Sequence, residues 1–165
     1  MDTIGCIKER RSVRKFTSQK LNKETQELLL NAAVCAPSGK NGHPWRFKCV
    51  EDEQLIKEIS RLSINRAWMQ TAPLFIAVFL DRENSYNYVK DVLSCGAAIQ
   101  NMLLAARSVE IGSCWTGEML SRQERIKEIL NISDERYELM GIVLFGYTNN
   151  YPATPIKNET VDYLI

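Results

Sequence analysis

Histidine is almost missing from this sequence, and its scarcity closes off several chemistries. His43 is the only one among 165 residues. A multi-histidine metal site within one chain is therefore impossible. A Ser-His-Asp triad would have to be built on a residue in a Gly/Pro-rich loop that has no nucleophile elbow beside it. The five cysteines, Cys6, Cys35, Cys49, Cys95 and Cys114, are odd in number and far apart, with no C-x-x-C. That pattern argues against a disulfide framework or a cysteine zinc site and fits a reducing cytosol, with each cysteine serving as a small apolar residue. A charge excess is lacking too: 21 basic against 20 acidic side chains leave +1, which gives no general drive toward nucleic acid or membrane. Any anion site must come from a local cluster. The longest uncharged, apolar-rich stretch, Val92 to Ala106, contains Ser94, Gln100 and Asn101 and is short of the ~20 residues of a membrane span. No apolar segment follows the basic residues near the start, so no secretory signal is read and a cytoplasmic location is expected.

What is present is ordinary for a globular protein: 45% apolar and 25% charged residues, in a length that implies one domain over 1–165. A chain of this size buries roughly 70% of its unfolded surface, enough for a real core. A short helix is read over Asp2 to Arg10. A second over Lys23 to Cys35 has Asn22 as N-cap and Leu28, Leu29, Ala32 and Ala33 as its apolar stripe. Trp45 to Val50 reads as a strand, and Asp52 caps a helix to about Leu62. The unbroken run Leu74 to Leu80 implies a central strand covered on both faces. Tyr88 to Val109 is a long helix whose middle, Cys95-Gly96-Ala97-Ala98, is small enough for another helix to approach closely. A strand over Ser113 to Thr116, a helix opened by the capping box Ser121-Arg122-Gln123-Glu124, and a strand from Leu139 to Tyr147 complete the order. The fold class is α/β of the α+β type, with a mixed central sheet of about four to five strands flanked by helices.

Three segments could carry chemistry. Arg10 and Arg14 lie four apart with Arg11 between them, so a helix ending near Arg11 lets three guanidinium groups converge beside the Ser12 hydroxyl. The planar fork of arginine suits phosphate; a solvated helix C-terminus, where cations are favoured anyway, accounts for the run equally well. The loop from Pro37 to Pro44 is not a P-loop: Val34 occupies the first glycine position, Asn41 replaces Ser/Thr, and the segment follows a helix. It is either a plain connection or a loop whose Ser38 and Asn41 face a ligand. Gly112 to Gly117 is not G-x-G-x-x-G. It is a buried strand around Trp115, or one whose Gly117 lets a flat ligand approach the backbone.

Taken together, these segments resemble the FMN-dependent nitroreductase family. The resemblance rests on Arg10-Arg11-Ser12-Val13-Arg14-Lys15-Phe16, on Pro37-Ser38-Gly39-Lys40-Asn41-Gly42-His43-Pro44-Trp45, and on Gly96 to Asn101 followed by Gly112-Ser113-Cys114-Trp115-Thr116-Gly117. It covers nearly the whole chain, with the motifs in order. It implies that Arg10, Ser12 and Arg14 hold the FMN phosphate and ribityl chain, with Arg11 beside them. Pro37, Ser38 and Asn41 would come from the second subunit of a homodimer. Backbone groups around Trp115, Thr116 and Gly117 would face the flavin N5 edge, Asn65 its pyrimidine edge, and Lys157 the phosphate. Three positions depart from the family: His43 replaces a glutamine, Trp68 stands where a lysine is frequent, and a C-terminal basic pair is reduced to Ile156-Lys157. The short 81–87 connection implies an open flavin face.

The activity implied is hydride transfer from NADH or NADPH through FMN to a small organic acceptor of nitroaromatic, quinone or flavin type. No side chain stands out as general acid or base, so no catalytic residue is assigned. Alternatives are an FMN carrier or sensor homodimer without turnover, and a flavin-free anion-binding module, the latter weakened because one basic cluster lacks the aromatic platform for single-stranded nucleic acid. Neither nucleic acid nor membrane is expected as a partner, and no metal.

Overall fold

The computed structural model describes residues 2–153. Local capping sets where its helices begin. The Asp2 carboxylate accepts from Gly5 N at 2.7 Å and starts α1 (Thr3–Glu9). Asn22 accepts from Thr25 N at 2.8 Å and starts α2 (Lys23–Val34). Asp52 accepts from Gln54 N and Leu55 N, both at 2.9 Å, and starts α3 (Glu53–Ser60). Each bond satisfies an amide that the first helical turn leaves unpaired. A one-turn α4 (Arg66–Met69), not foreseen from the sequence, links α3 to the sheet. The long helix is α5 (Tyr88–Ser108), capped by Asn87.

The strands β1 (Trp45–Val50), β2 (Leu74–Asp81), β3 (Gly112–Thr116) and β4 (Tyr137–Gly146) form one sheet in the order β1-β2-β4-β3, each pair antiparallel. The mixed sheet expected from the sequence is thus four antiparallel strands among the described residues, its parallel pairing confined to an isolated Ser12–Ser113 bridge. Every residue of β2 is buried, as its unbroken apolar run requires. Leu74, Ile76, Val78 and Leu80 pack under α2 and α5 with Leu29, Ile99 and Met102. Phe75, Ala77 and Phe79 face the other side, against Ile56, Ile59, Met69 and Ile126.

One local reading is corrected, the capping box at Ser121. The segment after Thr116 tightens into a 3-10 helix (Gly117–Arg122) before α6 (Gln123–Ile129). Ser121 Oγ therefore donates to Glu118 O at 3.0 Å instead of capping α6. In β4 the register slips at Gly141: Val78 faces Gly141 and Phe79 faces Leu139, leaving Met140 as the extra residue of a bulge. Gly141 has φ +149, and a Cβ there would run into the Trp115 indole.

Candidate functional site

The basic run lies where α1 ends against the edge strand β3. Val13 N donates to Ser113 O at 2.9 Å, and buried Val13 and Phe16 anchor the segment, leaving Arg14 exposed and Arg10 and Ser12 half-buried. The Cys114 thiol reports their convergence. Burial pushes it up, while Arg14, a hydrogen bond with Ser12, and Arg10 act in the opposite direction. Arg11 serves the fold as well: its Nη1 donates to Lys8 O and Arg10 O, both at 2.8 Å, closing the open end of α1. Arg10, Ser12 and Arg14 thus all act on Cys114 of β3, and an open cavity of about 400 Å³ is lined by Arg11, Ser12, Arg14, Lys15, Asn150 and Pro152. Lys157 lies outside the described residues.

A chain of contacts runs from Arg14 toward the end of β3. The Arg14 guanidinium sits 5.8 Å from the Trp68 ring centroid. Trp68 Nε1 donates to Asn65 Oδ1 at 3.2 Å, and Asn65 Nδ2 donates to Glu118 Oε1 at 2.9 Å. Ser63 Oγ donates to the same carboxylate oxygen and accepts from Asn65 N at 2.8 Å. Hydrogen bonds from Ser63 and Asn65 hold the Glu118 carboxyl below its ordinary value. Asn65 was anticipated from the sequence; Ser63 and Glu118 were not. Their partners lie more than fifty residues away, and no local pattern marks such pairs.

Between these groups the chain presents backbone. Thr116 Oγ1 donates to Ile142 O at 2.8 Å, which turns its side chain inward. Gly117 is exposed, and a Cβ there would meet nothing within 4 Å, so a flat ligand can lie close to this segment. Trp115 is 45% exposed beside it.

The Pro37 loop is elsewhere. It leads into β1, while Ser113 to Thr116 belong to β3, with Gly117 just past its end, and these are the two edge strands of the described sheet. Three strand spacings separate them, roughly 14 Å, with β2 and β4 between. Within one protomer, Pro37, Ser38 and Asn41 are thus not brought to Arg10, Ser12 and Arg14. The loop is nonetheless firmly built. Lys40, Asn41 and His43 all have positive φ (54, 57 and 47), a sparsely populated conformation for residues other than glycine. Ser38 Oγ accepts from His43 N at 3.1 Å, Asn41 Oδ1 pairs with His43 Nε2 at 2.9 Å, and Lys40 Nζ lies 4.7 Å from the Tyr86 ring centroid. Arg46 Nη1 donates to His43 O at 3.1 Å while its Nη2 pairs with the buried Asp81 at 2.9 Å.

One face of α5 is left open. Val89 and Leu93 are 66% and 68% exposed, four residues apart, and Gly96 continues the same face with open space above it. Ile4 and Ile7 on neighbouring α1 are also exposed. The close helix approach read from the small residues at 95–98 is filled by α2 on the buried side only, where Asn101 Nδ2 donates to Ala32 O at 3.0 Å. A second cavity, about 360 Å³ and lined in part by Phe16, Ile56, Ala72 and Pro73, lies apart from this arrangement. Two of the charged groups on its rim pair with each other, Lys57 with Glu53 at 3.8 Å.

Four antiparallel strands between helical layers, with a guanidinium and hydroxyl grip and an exposed glycine backbone along one edge, define an α+β protein built to hold an anionic ligand with a flat body. The sequence pattern of the nitroreductase family matches residues 7–68 and 60–147. A protein of Archaeoglobus fulgidus named as an NADH dehydrogenase/NAD(P)H nitroreductase is 37% identical over 150 residues, 88% of this chain and 85% of that one. One of the same name from Methanothermobacter thermautotrophicus is 32% identical over 93% of this chain and 81% of its own. Among solved structures, one from Desulfovibrio desulfuricans described as a nitroreductase in complex with FMN superimposes with a TM-score of 0.90 at 30% identity, covering 100% of this chain and 98% of that one. The chain belongs to the nitroreductase family.

Proposed function

We propose that this protein is an FMN-dependent oxidoreductase working as a homodimer, with each site shared between protomers. Arg10, Ser12 and Arg14, with Arg11 beside them and Lys157 as a further cation, hold the phosphate; Asn65 meets the pyrimidine edge; the backbone of Trp115, Thr116 and Gly117 lies along the ring. Pro37, Ser38 and Asn41 of the second protomer close the other side. When bound, FMN supplies the redox chemistry, taking hydride from NADH or NADPH and passing electrons to a small organic acceptor. The chain itself binds, orients and sets the local field.

The donor set fits the cofactor. Guanidinium forks and a hydroxyl match phosphate oxygens, and open backbone at Gly117 matches a planar ring. The observation that carries the reading is the split of the site: one half on β3 and the other on the loop before β1, at opposite edges of the same sheet. A two-fold axis brings one edge of each protomer to the other, and the apolar outer face of α5 supplies a surface for that contact. The relatives named as NAD(P)H nitroreductases and the FMN complex support the same cofactors.

The purified protein is expected to be yellow, to release FMN on denaturation, and to bleach anaerobically with NADH or NADPH. A colourless protein that takes up no added FMN defeats the reading. A yellow protein that neither nucleotide bleaches leaves an FMN carrier in its place.

A further inference from the structure

Asn65 is held on both sides of its amide. Nδ2 points to Glu118 and Oδ1 to the Trp68 indole N–H, at 2.9 and 3.2 Å, which fixes which way round the amide stands. A primary amide has two N–H donors and two carbonyl lone pairs, so one of each remains. That leftover pair matches the alternating acceptors and donors of a cyclic imide. Glu118 makes this orientation stable, because Ser63 donates to the same carboxylate oxygen and also accepts from Asn65 N.

Glu118 has a second property. Its carboxylate, exposed at the surface, lies 2.9 Å from Asn65 Nδ2 and so sits beside that amide. Its partners Ser63 and Asn65 are neutral, and among the described residues no cation pairs with it. Trp68, where the family frequently has lysine, is neutral as well and stacks on Arg14.

We infer that Glu118 is a positioning residue for the ligand-facing amide of Asn65, and that its fixed negative charge disfavours the reduced form of the bound flavin relative to the oxidised form. This rests on the FMN reading above. Hydride transfer from a reduced nicotinamide carries two electrons and one proton, so the nicotinamide becomes a cation and the flavin ring gains one negative charge. A carboxylate near that ring opposes the added charge, and the opposition falls with distance and dielectric.

Two substitutions separate the roles. Glu118→Gln keeps an oxygen to accept from Ser63 and Asn65 but removes the charge; Glu118→Ala removes both. Binding of oxidised FMN, followed by quenching of its fluorescence, should weaken about tenfold in Glu118→Ala, as for one charge-assisted hydrogen bond, and be restored to within about twofold in Glu118→Gln. Spectroelectrochemistry of Glu118→Gln should show reduced flavin favoured about tenfold more than in the unsubstituted protein, a rise of about 30 mV for a two-electron couple. An unchanged potential in Glu118→Gln, or oxidised FMN held by Glu118→Ala as by the unsubstituted protein, overturns the inference. Failure of the unsubstituted protein to bind FMN overturns the cofactor reading instead.

Discussion

Replacing Arg14 with alanine tests the phosphate grip at the residue least involved in the fold. Arg14 is exposed, and among the described residues its guanidinium lies against the Trp68 ring, 5.8 Å from the centroid. Its loss should leave folding intact. If its fork holds a phosphate oxygen, the substitution removes a charge-assisted hydrogen bond of about 1.5–3 kcal/mol. That raises the FMN dissociation constant about 10-fold to about 140-fold at about 1.4 kcal/mol per decade. Arg14→Lys keeps the charge without the planar fork, so it should fall between the two. Trp68→Leu removes the surface that orients the guanidinium, an exposed cation–π contact of about 0.5–1 kcal/mol, and should weaken binding about two- to fivefold. Fluorescence titration at two ionic strengths measures all three, and the Arg14→Ala protein should lose part of the salt dependence. A dissociation constant within threefold of the unsubstituted value, with the melting temperature unchanged, would refute the assignment of Arg14 to the phosphate.

Other consequences follow from the same structure. Leu93→Glu places a charge on the open face of α5 and should give a monomer by light scattering that has also lost FMN; an FMN-loaded monomer contradicts the shared site. Asp81 is fully buried between Arg46 at 2.9 Å and Arg136 at 3.8 Å, both partly exposed, so Asp81→Ala removes charge-assisted hydrogen bonds without stranding a buried charge and should cost about 1.5–3 kcal/mol and lower the melting temperature by roughly 3–12 °C; a shift under 2 °C would show that the buried carboxylate is dispensable. Burial, with Asp91 and Glu138, pushes the Cys95 thiol from 9.0 up to about 12. The unfolded chain therefore loses this proton before the native one, and the contribution should be intact below pH 9 and decline from there toward pH 12. Urea titrations of Cys95→Ala should lack that part of the alkaline decline, and an identical pH profile would refute the assignment.

What could be read from the sequence was what is local. Asn22 and Asp52 cap their helices through bonds spanning two or three residues, and β2 declares its burial because both faces are covered by helices. Ser121-Arg122-Gln123-Glu124 misled because capping competes with the 3-10 helix that begins at Gly117, and a short-range motif does not say which wins. Arg11 resembled its neighbours in sequence, yet its guanidinium turns back onto the carbonyls of α1. The bonds joining Ser63 and Asn65 to Glu118 span 55 and 53 residues; they depend on how α3, α4 and β3 pack, which no periodicity encodes. The order of strands was equally hidden, and with it the separation of the two halves of the site.

In the proposed shared site, that separation couples cofactor to assembly. A ligand gripped by β3 of one protomer and by the loop before β1 of the other binds the dimer and not the single chain. Mass action then requires that it stabilise the dimer by the free energy of its own binding. The loop is prepared for this, since three positions of unfavourable φ within four residues, at Lys40, Asn41 and His43, are held by Ser38, Tyr86 and the Arg46–Asp81 pair before any ligand arrives. Pre-formed halves lose little entropy on closing, so affinity depends chiefly on the dimer being present. Dilution should therefore release FMN in step with dissociation to monomers, and added FMN should shift the dimer–monomer midpoint to lower protein concentration. FMN affinity independent of protein concentration across that midpoint would place the whole site within one chain.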